Sequence, residues 1–105
     1  MDKKYAAQEA ITHSMMGSLG LKLIEEKEGF IRASMPVNDN TSQPFGVLCG
    51  GASLAFAEII AGYGSYLCCP EGFIPVGSSV SGNHVSSVRK APDVLVYAEA
   101  TALHL

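Results

Sequence analysis

The chain has 105 residues and a formal net charge of -3, with seven Lys and Arg against ten Asp and Glu. Hydrophobic residues make up 48% of it and charged residues 16%, which is typical of one globular domain. The few, scattered cations exclude a general nucleic-acid binder, because phosphate neutralisation requires clustered Lys and Arg. No run reaches the roughly 20 apolar residues that cross a bilayer, and the polar start lacks the apolar core of a signal peptide. We therefore expect a soluble cytoplasmic protein that binds neither nucleic acid nor membrane.

The first half of the chain predicts a helix, a hairpin and a loop. Apolar residues at helical spacing predict a helix over residues 4–19, which glycines end. Residues 21–28 and 30–37 predict two strands that turn at Gly29. The second strand alternates between two faces, with Ile31, Ala33, Met35 and Val37 on one and Arg32 and Ser34 on the other. A turn-rich loop over residues 38–46 then leads to a long apolar helix over residues 50–67.

Two further strands are predicted after that helix. Residues 74–87 alternate, and their glycine and serine content predicts a close approach to another part of the molecule. Residues 94–105 place a mostly small surface on one side, which suits a helix lying across it: Val94, Val96, Ala98, Ala100 and Ala102. This order predicts one α+β domain over residues 1–105, with an antiparallel sheet wrapped around one buried helix.

Cysteines and histidines do not form a metal-binding or disulfide pattern. Cys49, Cys68 and Cys69 are odd in number, and the adjacent pair is poorly placed to bridge to itself. The three histidines are scattered and show no metal-ligand spacing. We expect no structural metal and no disulfide framework.

Glu58 is the one formal charge between Asp39 and Glu71, and it lies within the apolar helix. Taking an unpaired carboxylate out of water costs several kcal/mol, so we expect Glu58 to be either paired or functional. Its neighbours on the same stripe are small, which leaves space for another backbone or a ligand: Gly51, Ala55, Ala61, Gly62 and Ser65. The alternative is that Glu58 lies on a narrow solvent-exposed stripe.

Residues 43–58, QPFGVLCGGASLAFAE, and residues 76–85, VGSSVSGNHV, resemble the hotdog-fold thioesterase superfamily. The similarity extends over nearly the whole chain. It is greatest to the branch that contains the phenylacetic-acid-pathway thioesterases and the 1,4-dihydroxy-2-naphthoyl-CoA hydrolases of menaquinone biosynthesis. The resemblance implies a hotdog fold and hydrolysis of an aromatic or medium acyl-CoA thioester without a cofactor beyond the coenzyme A of the substrate.

The resemblance also implies the catalytic residues. Glu58 would act as nucleophile on the thioester carbonyl or as general base for water. The Gly50 N–H at the helix start would polarise the thioester oxygen, and the Gln43 amide would orient the carbonyl or the water. Cys49 stands where the family commonly has a histidine, and a thiol lacks the same directional N–H donor.

Further residues are implied to contact the substrate: Gly51, Gly62, His84, Ser86 and Arg89. Gly62 stands where relatives often have a hydroxyl residue. Family members build the site between two subunits, so we expect a homodimer or homotetramer. They also carry a last pair of strands beyond the position of Leu105, so we expect this sequence to be truncated or its reading frame to be interrupted.

Four alternatives stay open. Cys49 at a helix N-terminus could be a thiol nucleophile with His84 as its base. His84 could instead be a hydrogen-bonded structural residue, and Arg89 with Lys90 could be a solvated pair and not a contact to coenzyme A phosphates. Finally, the change at Cys49 and the missing strands also fit a hotdog domain that binds acyl-CoA or a protein partner without catalysis.

Overall fold

The computed structural model describes residues 3–77, 82 and 86–103, with residues 3–7 defined by their backbone alone. Its elements are α1 (Lys3–Thr12), α2 (Met15–Ser18), β1 (Lys22–Lys27), β2 (Phe30–Pro36), α3 (Gly50–Cys68) and β3 (Leu95–Thr101). The three strands form one antiparallel sheet in the order β1-β2-β3. The 19-residue α3 packs on β2 and β3. The predicted α+β architecture, an antiparallel sheet with one long central helix, is confirmed.

The single helix predicted over residues 4–19 is wrong, because the chain breaks it at Ser14. This residue is extended, with φ -133° and ψ -178°, and its hydroxyl accepts a hydrogen bond from the Met16 N–H. The same hydroxyl donates to the Ile11 carbonyl at 2.9 Å. Serine competes in this way with the helical backbone, so it ends α1 and caps α2.

The predicted hairpin is confirmed, with a register shift between Leu23 and Glu25 of β1. The inward face of β2 is buried as expected, but Ser34 on the opposite face is also buried, at 4% exposure. Its register partners are Lys22 on β1 and Tyr97 on β3. Directly paired residues of neighbouring strands share a face, so these larger side chains flank the small serine and cover it.

The core lies between the sheet and α3. Phe56 and Ile60 are the buried residues of α3, and they join a cluster that also contains Met16, Leu21, Ile31, Ala33 and Met35. On β3, Val96, Ala98 and Ala100 pack against this cluster while Leu95, Tyr97, Glu99 and Thr101 are exposed, as the alternation predicts. None of the helices in the described ranges is long and apolar enough to cross a membrane.

The strand predicted over residues 74–87 is not observed in its described part. Residues 74–77 and 86–88 have no strand structure, and residues 78–81 and 83–85 lie outside the described ranges. The backbone that follows pairs with the loop before α3: Leu48 N–H donates to the Val88 carbonyl, and Lys90 N–H donates to the Gly46 carbonyl, both at 2.8 Å. Alternation in the sequence predicts burial on one face, but it does not identify the partner that a strand requires.

Tyr63 on α3 predicts an alkaline dependence of stability. Burial chiefly, with the charge of Glu26 and the neighbouring Tyr66, raises the pKa of Tyr63 to about 12. Because this folded pKa lies above the ordinary value of about 10, the stabilisation is complete below about pH 10 and is lost as the pH rises through about 12. We expect the melting temperature of Tyr63→Phe to fall less than that of wild type over this pH range. Tyr97→Phe, which alters an exposed phenol, should behave as wild type; equal alkaline sensitivity of all three proteins would contradict this account.

Candidate active site

The loop before α3 is held by buried Thr41. The Thr41 hydroxyl donates to the Pro36 carbonyl at 2.7 Å and accepts from the Asn38 N–H at 2.9 Å. The Thr41 carbonyl accepts from the Cys49 N–H at 2.8 Å. Thr41 therefore connects the end of β2 to the start of α3. A threonine in a polar loop carries no sequence signal that distinguishes this function, and the sequence analysis did not identify it.

Gln43 is half-buried in a tight turn of the same loop. Its N–H donates to the Val47 carbonyl at 2.9 Å, and its side-chain Oε1 accepts from the Phe45 N–H at 3.3 Å. The amide oxygen therefore stabilises the turn, which leaves the NH₂ group of Gln43 as the donor that it can offer to a ligand.

Cys49 is the N-cap residue of α3. It is extended, with φ -73° and ψ 130°, and its side chain makes no capping hydrogen bond. The first amides bonded within this turn belong to Ala52 and Ser53, which both donate to the Cys49 carbonyl. Gly50 and Gly51 make no backbone hydrogen bond through their N–H groups within the described ranges. These two amides, at the positive end of the helix dipole, can donate hydrogen bonds to an oxyanion.

Arg89 lies beside this helix start. It forms an isolated antiparallel bridge with Val47, and its side chain is exposed. The next residue, Lys90, is an ion-pair partner of Asp39 at 2.8 Å. Ser86, exposed, begins the same segment. The structure thus brings Gln43, Cys49, Gly50, Gly51 and Arg89 together around the N-terminus of α3, whereas His84 lies outside the described residues.

Glu58 is half-buried on α3, eight residues after Gly50. Its carboxylate makes no hydrogen bond or ion pair with any residue in the part of the chain that the structure describes. Of the two expectations for this carboxylate, paired or functional, the described residues therefore show no pairing; Gly51, Ala61 and Ser65 on its stripe are exposed, so the solvent-exposed stripe stays an alternative. A half-buried carboxylate on an otherwise apolar helix, without a partner among the described residues, is a candidate for a catalytic group.

The stripe of small residues around Glu58 was expected to leave room either for another backbone or for a ligand, and the structure shows both a close backbone and open space beside it. The backbone of Gly77 lies directly against the Glu58 carboxylate. Around Gly62, one turn further along α3, no described residue outside the adjacent helix backbone lies within 4 Å of the position of an added Cβ. Ala61 and Ser65 line a cavity of about 410 Å³ between the C-terminal half of α3 and the ends of β2 and β3.

Within the described ranges, no group of three or more His, Cys, Asp or Glu side chains could hold a metal ion. The ligands that the site offers are amide N–H groups and one carboxylate. This arrangement suits a carbonyl compound whose oxygen is polarised while the carboxylate attacks or activates water.

A long apolar helix packed on an antiparallel sheet is the architecture of a hotdog domain. Residues 45–104 match the family model described as "Thioesterase superfamily". The match covers more than half of the chain, and the chain belongs to this superfamily.

Relatives support this assignment over most of the chain. The 1,4-dihydroxy-2-naphthoyl-CoA hydrolase of Escherichia coli is 39% identical over 77 residues, covering 73% of this chain and 57% of that protein. The crystal structure of a Haemophilus influenzae thioesterase has a TM-score of 0.84 and 36% identity, over all of this chain and 71% of the other. A Staphylococcus aureus thioesterase structure has a TM-score of 0.78 and 32% identity, over 87% of this chain and 74% of the other. The chain spans between 57% and 74% of the length of the curated relatives it matches.

Proposed function

We propose that this chain is an acyl-CoA thioesterase domain that uses Glu58 as its reacting carboxylate. The observation that carries the proposal is the half-buried Glu58 carboxylate on the helix that begins at Gly50. Among the described residues, neither this carboxylate nor the first two amides of the helix has a hydrogen-bond partner. Membership of the thioesterase superfamily supports the reaction class. Thioester hydrolysis needs the two groups that this helix offers, a base or nucleophile and an oxyanion site.

The start of α3 would bind the thioester oxygen. The N–H of Gly50 donates to the carbonyl oxygen, and the helix dipole stabilises the negative charge that develops there. Gly51 leaves the approach open on the side of the described residues, among which an added Cβ would touch Cys49 Sγ alone, at 3.7 Å. The NH₂ group of Gln43 lies in the loop beside this site and would orient the carbonyl or the water.

Glu58 would act in one of two ways. As general base it takes a proton from water, the water oxygen bonds the carbonyl carbon, and the C–S bond then breaks as the proton passes to the leaving thiolate. As nucleophile its own oxygen bonds the carbonyl carbon and expels the thiolate, and water then hydrolyses the anhydride. Both routes release coenzyme A and a carboxylic acid, and both require an ionised Glu58.

Two solved variants of the S. aureus relative support the paired use of Gln43 and Glu58. One variant replaces a glutamine by alanine and another replaces a glutamate by alanine. Those two positions are separated by the same number of residues as Gln43 and Glu58 are here. In this chain the spacing places Gln43 in the loop before α3 and Glu58 on α3.

The proposed substrates are aromatic and medium acyl-CoA thioesters, with 1,4-dihydroxy-2-naphthoyl-CoA included because the E. coli relative carries that name. Arg89 would meet the coenzyme A phosphates, and Gly62, Ser86 and His84 would contact the rest of the substrate.

The test measures thiol release from benzoyl-, hexanoyl- and 1,4-dihydroxy-2-naphthoyl-CoA. Hydrolysis above the spontaneous rate, lost in Glu58→Ala, supports the proposal.

A binding domain without catalysis is the second candidate. The observation that favours it is the Cys49 side chain, which supplies neither a cap nor an N–H donor at the helix start. Saturable binding of an acyl-CoA without any thiol release would identify this function, and no binding to any of the three thioesters would leave a protein partner as the remaining class.

Cys49→His tests whether a donor is missing from the oxyanion site. The Cys49 backbone N–H is already used by Thr41, so only its side chain can add a donor. We expect Cys49→His to raise kcat, by up to about a hundred-fold, with little change in KM, because the added N–H acts mainly in the transition state. Steady-state kinetics of this variant and of Cys49→Ala are compared. Complete loss of activity in Cys49→Ala would instead support the thiol nucleophile.

The helix geometry favours a site shared by two subunits. Gly50 and Glu58 of one chain lie about 12 Å apart along the axis of α3 and about 80° apart around it. Reacting atoms must approach to about 3–3.5 Å. Gly50 and Glu58 of one helix are too far apart for both to reach the same thioester carbonyl at such distances. We propose a dimer or tetramer in which Gly50 of one chain and Glu58 of another hold the same thioester.

Mixing two inactive variants tests this assembly. If the site is shared in a dimer, Glu58→Ala refolded with Gly50→Pro should recover about a quarter of the wild-type activity, because half of the dimers are mixed and each has one intact site. Light scattering gives the mass of the same samples. A monomeric mass, or no recovery in mixed oligomers, would place both groups of any site within one chain.

A further inference from the structure

The Glu58 carboxylate is in contact with a stretch of irregular backbone at Gly77. A Cβ built on Gly77 would overlap Glu58 Oε1, and it would lie 3.3 Å from Cδ and 3.7 Å from Cγ. A carbon atom at this position would overlap the carboxylate oxygen, so a side chain at residue 77 requires the end of the Glu58 side chain to move. Gly77 therefore forms a wall along the last three atoms of the Glu58 side chain.

Backbone conformation does not explain the glycine. The described glycines with positive φ, where other residues are strained, are Gly20, Gly29, Gly46 and Gly72. Gly77 is not among them, so an alanine could adopt its backbone angles. A side chain at residue 77 would therefore act on the Glu58 carboxylate, which has to move to make room for it.

We propose that Gly77 is a positioning residue for Glu58, which confines the carboxylate to the place from which it reaches the substrate. The inference rests on the proposed function of Glu58. A side chain at this position would force the carboxylate away from the wall, and a displacement of about 1 Å at a reacting group costs about a hundred-fold in rate. Within the described residues no hydrogen bond joins Gly77 to Glu58, so we expect the effect of the substitution to be steric.

The kinetic test uses Gly77→Ala in two backgrounds. In the wild-type background we expect kcat to fall about 10- to 100-fold, with KM changed less than about three-fold and the melting temperature retained. Glu58→Asp shortens the side chain by one methylene and withdraws its oxygens from the wall, so Gly77→Ala should cost less than about three-fold in that background. Val76→Ala, on the exposed neighbour, is the control that should leave kcat unchanged.

The contact itself is tested without catalysis by NMR. We expect a nuclear Overhauser effect between the Gly77 α-protons and the Glu58 γ-protons, and a shift of the Glu58 carboxyl carbon in Gly77→Ala that exposed Glu71 does not show. An inactive wild-type protein would refute the thioesterase proposal, and the NMR contact would then decide whether Gly77 positions Glu58. With an active wild type, an unchanged kcat in Gly77→Ala, an equal loss in both Glu58 backgrounds, or absence of the contact would overturn this inference alone.

Discussion

Glu58→Ala should lower kcat for acyl-CoA hydrolysis by about a thousand-fold or more, and Glu58→Gln should lower it nearly as much. Neither side chain can accept a proton from water or bond the carbonyl carbon, so both the base and the nucleophile routes are lost. The fold should persist, because Glu58 makes no described hydrogen bond or ion pair whose loss would expose a buried partner. Steady-state kinetics with circular dichroism of both variants measure the two effects.

Glu71→Gln is the matched control for that experiment. Glu71 is an exposed carboxylate three residues beyond the end of α3, so it carries the same charge as Glu58 but lies outside the proposed site. The Glu71→Gln variant should hydrolyse acyl-CoA at the wild-type rate. Retained hydrolysis in both Glu58 variants would exclude this carboxylate from the chemistry, and single-turnover reactions in isotopically labelled water would separate base from nucleophile in the wild type.

Gly50→Pro should lower kcat by about a hundred-fold, whereas Gly50→Ala should retain most of the activity. Proline deletes the N–H that the oxyanion would use, yet it is well tolerated at the first position of a helix. The preceding residue must be extended, and Cys49 already is, with φ -73° and ψ 130°. The substitution therefore removes one hydrogen-bond donor while the helix start keeps its backbone conformation.

The alanine variant separates the two changes that proline makes. Alanine adds the same Cβ but retains the N–H, so equal losses in both Gly50 variants would assign the effect to crowding and not to the oxyanion site. The measurement is kcat and KM for one good substrate, with thermal denaturation to show that α3 still forms in both proteins. A wild-type rate in Gly50→Pro would remove this amide from the proposed mechanism.

Local periodicity was enough to identify the elements that place the site. The apolar run from Gly50 predicts α3 to within one residue of its end at Cys68, although Phe56 and Ile60 are its only buried residues among those described. Alternation along β2 and β3 predicts which of their residues face α3, since successive strand residues point to opposite sides. Glu58 was identified in the same way, as the single charge where none is expected.

Only the tertiary structure decided what surrounds these elements. The break at Ser14 depends on competing hydrogen bonds of one hydroxyl, and the burial of Ser34 depends on Lys22 and Tyr97 from the neighbouring strands. The contact of Gly77 with Glu58 joins residues that are far apart in the chain, as does the bridge of Arg89 with Val47. Periodicity reports which face of an element is buried, but not which residue lies against it, because that depends on how distant segments pack together.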